Sequence, residues 1–181
     1  MKESKIDGVN INEYDKNSLR SFMGMVLQEI WLFSDTIEEN IRYGNLDSTE
    51  EDIINASKQA NADYFIKQLP EGYQTILEED ADNISQGQKQ LLTIARAIIS
   101  KKEILILDEA TSNIDSRTEL LIQTAMDKLM KNKTSFIVAH RLSTIKNADK
   151  IIVLGKGRLI EQGTHDELMA QKGYYYNILK N

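Results

Sequence analysis

Residues 104–110 read ILILDEA: four successive apolar residues, Ile104 to Leu107, run directly into Asp108 and Glu109. A run that is apolar at every position predicts a strand covered by helices on both faces, because a half-solvated strand alternates. In open α/β sheets the ligand site lies beyond the carboxyl ends of the strands, where these two acids fall. Successive residues point to opposite sides, so Asp108 can hold a hydrated Mg²⁺ while Glu109 orients or deprotonates a water. For such a string alone, a solvated acidic loop is an equal alternative, and the neighbouring sequence decides.

C-terminal to this strand the pattern predicts a helix Ser116 to Met130, a strand Ser135 to Ala139, a helical turn near Leu142, a strand Lys150 to Leu154, a Gly-Lys-Gly turn and a strand Arg158 to Glu161. Thr164-x-x-Glu167 opens a short helix, Gly173 breaks it, and Tyr174 to Tyr176 begin the last one. Toward the N-terminus, Asp7-Gly8 between short apolar stretches reads as a hairpin and hence an antiparallel edge. Asp15 caps a short helix reaching Phe22, and a strand Met25 to Leu27 carries Gln28 at its carboxyl end. Residues 34–100 read as mostly helical. Ser48-x-x-Glu51 and Ser85-x-x-Gln88 form capping boxes, Asp63 opens a helix that stops at Pro70, and Leu91, Ala95 and Ile98 make a core-facing stripe. The expected fold is α/β: a parallel sheet core formed by 1–33 and 101–181, a helical subdomain over 34–100, and an antiparallel edge.

The 181 residues suit about one domain. With no Cys there are no disulfides and no thiolate metal sites or nucleophiles, which fits a reducing compartment. Twenty-two basic and 28 acidic residues leave a net charge of −6 with no polybasic strip, which disfavours nucleic acid as a partner. At 41% hydrophobic with a mean hydropathy of −0.41, no apolar stretch approaches the 18 or so residues of a membrane span. The first residues, MKESKIDGVN, lack the apolar region of a secretory signal.

Two further strings stand at ligand-binding ends. Ser85-Gln86-Gly87-Gln88 opens a helix whose unpaired N–H groups and positive dipole end suit a terminal phosphate, with Gly87 allowing close backbone approach and the Ser85 hydroxyl adding a donor. Taken singly it reads as an ordinary capping box, since similar strings begin at Ser48, Ser116 and Thr164. His140 follows the apolar strand, a position where one histidine by itself is more often structural.

Together and in order, VLQE (26–29), ISQGQ (84–88), ILILDEA (104–110), SNID (112–115) and IVAHR (137–141) resemble the motifs of ATP-binding cassette nucleotide-binding domains. The resemblance runs from about Ile6 to the C-terminus. WLFSDTIEENI (31–41), GQKQLLTIARAI (87–98) and GRLIEQGTHDEL (157–168) are similar to the exporter branch, whose membrane domain is usually fused upstream. It implies a P-loop NTPase-like fold and a set of roles. Gln28 resembles the glutamine that senses Mg²⁺ and the attacking water. Ser85, Gly87 and Gln88 resemble the signature that completes the partner subunit's ATP site. Asp108 resembles the Mg²⁺-binding aspartate and Glu109 the catalytic glutamate. Ser112 and Asp115 resemble the loop at the dimer contact, and His140 the histidine at the γ-phosphate. The implied cofactors are ATP and Mg²⁺. The implied partners are a second nucleotide-binding domain, identical or not, and a transmembrane domain, which places the chain on the cytoplasmic side of the cell membrane. No nucleic-acid partner is implied.

Gln86 stands where the commonest signature has its first glycine, and Ile84 replaces its leucine; both are tolerable because Gly87 is kept. The phosphate-cradling G-x-x-x-x-G-K-[ST] string does not occur, and the only Gly-Lys pair, Gly155-Lys156, fails the pattern. The chain therefore looks like a cassette domain without its opening strand and helix. By itself it is expected to bind ATP poorly, not to hydrolyse it, and to leave apolar strand faces exposed. Two other readings remain at this stage. One is a non-catalytic remnant or split subunit lending the helix at Ser85 to a partner's ATP. The other is a DNA-associated cassette ATPase, against which stands the absence of heptads and basic patches.

Overall fold

Asp7 and Gly8 both take left-handed backbone, with φ of 49° and 83°, and reverse the chain between β1 (Lys5–Ile6) and β2 (Val9–Asn10). The computed structural model describes residues 5–27, 29–108, 114–139 and 142–180. They fall into two compact units, 1–137 and 138–181.

In the first unit the Asp15 carboxylate accepts the Ser18 N–H at 2.9 Å and opens α1 (Lys16–Ser21). The chain then enters β3 (Met23–Val26), two residues earlier than the sequence pattern predicts. It lies parallel to β4 (Ile104–Asp108), with Met23 opposite Ile104 and Val26 opposite Leu107, and β5 (Thr134–Val138) completes a three-stranded sheet in the order β3-β4-β5. Between β3 and β4 come α2 (Ile37–Arg42), α3 (Glu50–Gln59), α4 (Asp63–Ile66) and α5 (Gln86–Ile99). After β4 comes α6 (Ser116–Met130), whose bounds match the sequence expectation.

Two caps differ from expectation by one residue. Thr49 and Asp52, not Ser48 and Glu51, form the reciprocal box of α3: Ser48 is already held in the preceding turn, its N–H on the Asn45 carbonyl at 3.1 Å and its own carbonyl taken by Arg42. Asp115, not Ser116, caps α6, because its carboxylate reaches the N–H groups of both Arg117 and Thr118. Asp63 gives α4 no cap bond; its carboxylate is occupied by Lys67 and the Tyr73 hydroxyl, and α4 ends at Ile66, well before Pro70.

One hydrophobic cluster unites the helices with one face of the sheet: Val26, Leu105 and Leu107 lie against Leu91, Leu92 and Ala95 of α5 and Ile122, Ala125 and Met126 of α6. Coverage of β4 is one-sided, contrary to the two-sided expectation. Leu105 and Leu107 are buried, Ile104 and Ile106 are half-buried, and their neighbours on that second face, Met25, Phe136 and Val138, are exposed. α5 is also buried more widely than the predicted stripe. Gln90, Leu92, Ile94, Ala97 and Ile99 are buried along with Leu91 and Ala95, while Ile98 is only partly so.

In the second unit, α7 (Leu142–Lys146) precedes the antiparallel pair β6 (Ile151–Gly155) and β7 (Arg158–Gly163), joined by left-handed Lys156 and Gly157. The Thr164–Glu167 capping box opens α8 (His165–Gln171), and α9 (Tyr174–Lys180) follows Gly173. Val153, Leu168 and Tyr175 form a small core of their own. Among the described residues no helix is long and apolar enough to cross a membrane.

Candidate functional site

Ser85 takes extended backbone (φ −70°, ψ 159°), and its hydroxyl accepts the Gln88 N–H at 3.3 Å while the Gln88 side-chain oxygen takes the Ser85 N–H at 2.9 Å. The reciprocal pair holds the first turn of α5 open to solvent, with Ser85 and Gln86 exposed and Gly87 buried beneath them. With Ser85 Oγ acting as an acceptor toward Gln88, its proton stays available to donate outward.

Gly87 has a packing role that spacing did not reveal. A Cβ at this position would overlap Thr118 Cγ2 of α6 and meet Ile114 Cγ2 at 3.4 Å. The α5 and α6 helices are therefore in close contact where each begins. Thr118 in turn gives its N–H to the Asp115 carboxylate at 3.0 Å, as Arg117 does at 3.1 Å. A bond from the Thr118 side chain, together with these N–H bonds, holds the Asp115 carboxyl below the ordinary aspartate range. A carboxyl depressed in this way stabilises the cap above the ordinary aspartate range, and the stabilisation is lost as pH falls through the lowered value. The structure thus joins Ser85, Gly87 and Gln88 to Asp115 through Thr118.

Gly87→Ala is expected to lower the unfolding free energy by about 2 kcal/mol. Thr118→Ser removes the opposing methyl and keeps the hydroxyl, so it should restore most of that loss. Urea unfolding of the two single variants and the double variant checks this, and simple additivity would refute the packing account.

Asp108 ends β4 at the carboxyl edge of the sheet, where its carboxylate is chemically suited to Mg²⁺. Among the described residues no cluster of three or more His, Asp and Glu side chains assembles a metal site. Gln28, Glu109, Ser112 and His140 lie outside the described residues.

Sequence reasoning missed Arg96 and Asn40. Arg96, on α5, donates from Nε to the Asn40 carbonyl at 2.7 Å, from NH1 to the Trp31 carbonyl at 3.0 Å and from NH2 to Asn40 Oδ1 at 2.9 Å. Asn40 is 1% exposed and also binds the Phe33 N–H at 2.8 Å, the Phe33 carbonyl at 2.9 Å and the Thr36 carbonyl at 3.0 Å. The one available signal was a cation set in an otherwise apolar stretch of helix, TIARAII.

A family model described as ABC transporter matches residues 2–112. A fatty acid ABC transporter ATP-binding/permease protein of Mycobacterium bovis is 52% identical over 175 residues, covering 97% of this chain and 28% of that protein. An ATP-dependent lipid A-core flippase of Legionella pneumophila is 51% identical over 175 residues, covering 97% of this chain and 30% of that protein. ABC transporter B family member 4 of Dictyostelium discoideum is 53% identical over 175 residues, 97% of this chain and 23% of that protein. The chain thus spans between a fifth and a third of the length of these relatives.

Proposed function

Because the chain belongs to the ABC transporter family, we propose that it is part of the ATP-hydrolysing module of an exporter, working at the cytoplasmic side of a membrane. Its partners are a transmembrane domain and a second nucleotide-binding domain. Residues 1–33 and 101–181 serve as the core subdomain and 34–100 as the helical subdomain. Relatives named as ATP-binding/permease proteins and as a flippase support this reading. The observation that carries it is the unit formed by the open first turn of α5, Gly87, Thr118 and the Asp115 cap: the two strings that resemble dimer-facing motifs are packed as one piece.

In the assembled site Asp108 and Gln28 would hold Mg²⁺, which supplies charge neutralisation at the phosphates when bound. Glu109 accepts a proton from the attacking water, and His140 donates toward the γ-phosphate oxygens. The Ser85 hydroxyl, the N–H groups around Gly87 and the Gln88 side chain close over ATP carried by the partner domain, with Ser112 and Asp115 at the contact. Glu29 to Ile41 face the transmembrane domain.

Since G-x-x-x-x-G-K-[ST] does not occur in these 181 residues, they bind ATP weakly and do not turn it over by themselves. The test compares Mg²⁺-dependent ATP hydrolysis by the 181-residue chain alone with hydrolysis by the chain joined to a segment that carries that loop. Activity only in the joined form is expected. Turnover by the chain alone that Glu109→Gln removes would overturn the proposal.

A further inference from the structure

Arg96 is the one cation set into the buried stretch of α5, eleven residues beyond Ser85. Burial of its guanidinium lowers its pKa. Among the described residues no acidic side chain forms a salt bridge with it. Its environment is three amide oxygens, from Trp31 and Asn40, and two ring faces, with Phe33 and Tyr43 each 5.6 Å from the guanidinium carbon. An isolated interior cation contributes little net stability, but its five fixed donors define one geometry for whatever surrounds them. What they define here is a surface ridge. Trp31 and Tyr43 flank Phe33 in edge-to-face contacts with centroids 4.4 Å and 4.6 Å away, and both are largely in solvent, 64% and 57% exposed. The two main chains also lie close at the same place: a Cβ on Gly44 would overlap the Arg96 carbonyl oxygen and come within 2.7 Å of Ile99 Cγ2. The Arg96 side chain thus bonds segment 31–44 to α5 beside a close backbone contact.

We propose that Arg96 is a positioning residue that fixes the Trp31–Phe33–Tyr43 ridge to the helix opened by Ser85, so that a push on the ridge from the transmembrane partner is delivered to the Ser85 end. The delivery to Ser85 rests on the function proposed above; the fixing of the ridge does not. Lysine cannot replace the arginine, because a single ammonium cannot reach three oxygens along a planar fork or lie flat between two rings.

Trp31 is the only tryptophan of the chain, so its near-ultraviolet circular dichroism reports the ridge directly. In Arg96→Lys and Arg96→Met the tryptophan band should fall by at least half while the far-ultraviolet helical signal is kept. Tyr43→Leu, at an exposed position, removes one of the two rings over the guanidinium and should give a smaller loss of the same band. An unchanged band in a folded Arg96 variant, or in Tyr43→Leu should both Arg96 variants fail to fold, would overturn the positioning. In the assembled ATPase, Arg96→Lys should lower kcat at least tenfold with KM for ATP within twofold. A normal kcat beside a collapsed tryptophan band would overturn the delivery to Ser85. No hydrolysis by the wild-type assembly would overturn the functional reading and the delivery with it, while the Trp31 result would still decide the fixing of the ridge.

Discussion

Glu109→Gln, introduced into the assembled ATPase, is expected to reduce ATP hydrolysis about 10³-fold, the range lost with a positioned general base. β4 ends on Asp108 at the carboxyl edge of the sheet and is followed in sequence by Glu109. Adjacent residues on an extended chain diverge, so a metal-binding aspartate leaves its neighbour free to address water. Glutamine keeps the shape and the hydrogen bonding of glutamate but cannot take a proton. ATP binding, measured by equilibrium titration, should therefore remain within a few-fold of wild type. His140→Ala should behave in the same way, losing turnover while retaining nucleotide. If either variant loses ATP binding along with hydrolysis, the residue is a binding group and the assignment of chemistry to it is wrong.

Asn40→Ala should be the most damaging single truncation in residues 31–44. The Asn40 amide accepts from the Phe33 N–H and from Arg96, and it donates to the carbonyls of Phe33 and Thr36, all at 3.0 Å or less. Alanine removes this hub and leaves the Phe33 N–H and one guanidinium donor short of partners in a region from which water is largely excluded, while the Phe33 and Thr36 carbonyls keep the N–H groups of Asp35 and Asn40. With each of these two unmet groups costing about 1–3 kcal/mol and the guanidinium able to regain water as the loop relaxes, a loss of about 3 kcal/mol is expected. Urea unfolding checks the value, and a loss below about 1 kcal/mol would show that the loop satisfies itself without the amide.

Where local pattern decides structure, the chain was legible. The Asp-Gly hairpin, the boxes at Ser85 and Thr164, and α6 over Ser116–Met130 were all readable. The errors came from competition between equally good local strings. Ser48-x-x-Glu51 and Thr49-x-x-Asp52 overlap, and the second prevails because the turn from Asn45 has already taken the Ser48 N–H. The apolar run at Ile104 to Leu107 signalled a strand correctly but not how many of its faces are covered, since exposure of Met25 and Phe136 depends on partners elsewhere. For the site, motif order identified Ser85, Gly87, Gln88, Asp108 and Asp115 as candidates. It was blind to Thr118, Arg96 and Asn40, whose roles arise from contacts across long separations: Arg96 meets Asn40 across 56 residues and Trp31 across 65. No periodicity encodes such contacts.

A buried helix tied at both ends behaves as a stiff rod. Eleven residues of α5 separate Arg96 from Ser85, a rise of about 16 Å. A tilt of about 5° around the arginine would then displace the serine hydroxyl by about 1.4 Å, whereas a hydrogen bond tolerates only a few tenths of an ångström. Because Gly87 is buried against Thr118, such a rotation has to carry the start of α6 and its Asp115 cap along with the serine, and the helix then has the geometry of a mechanical amplifier.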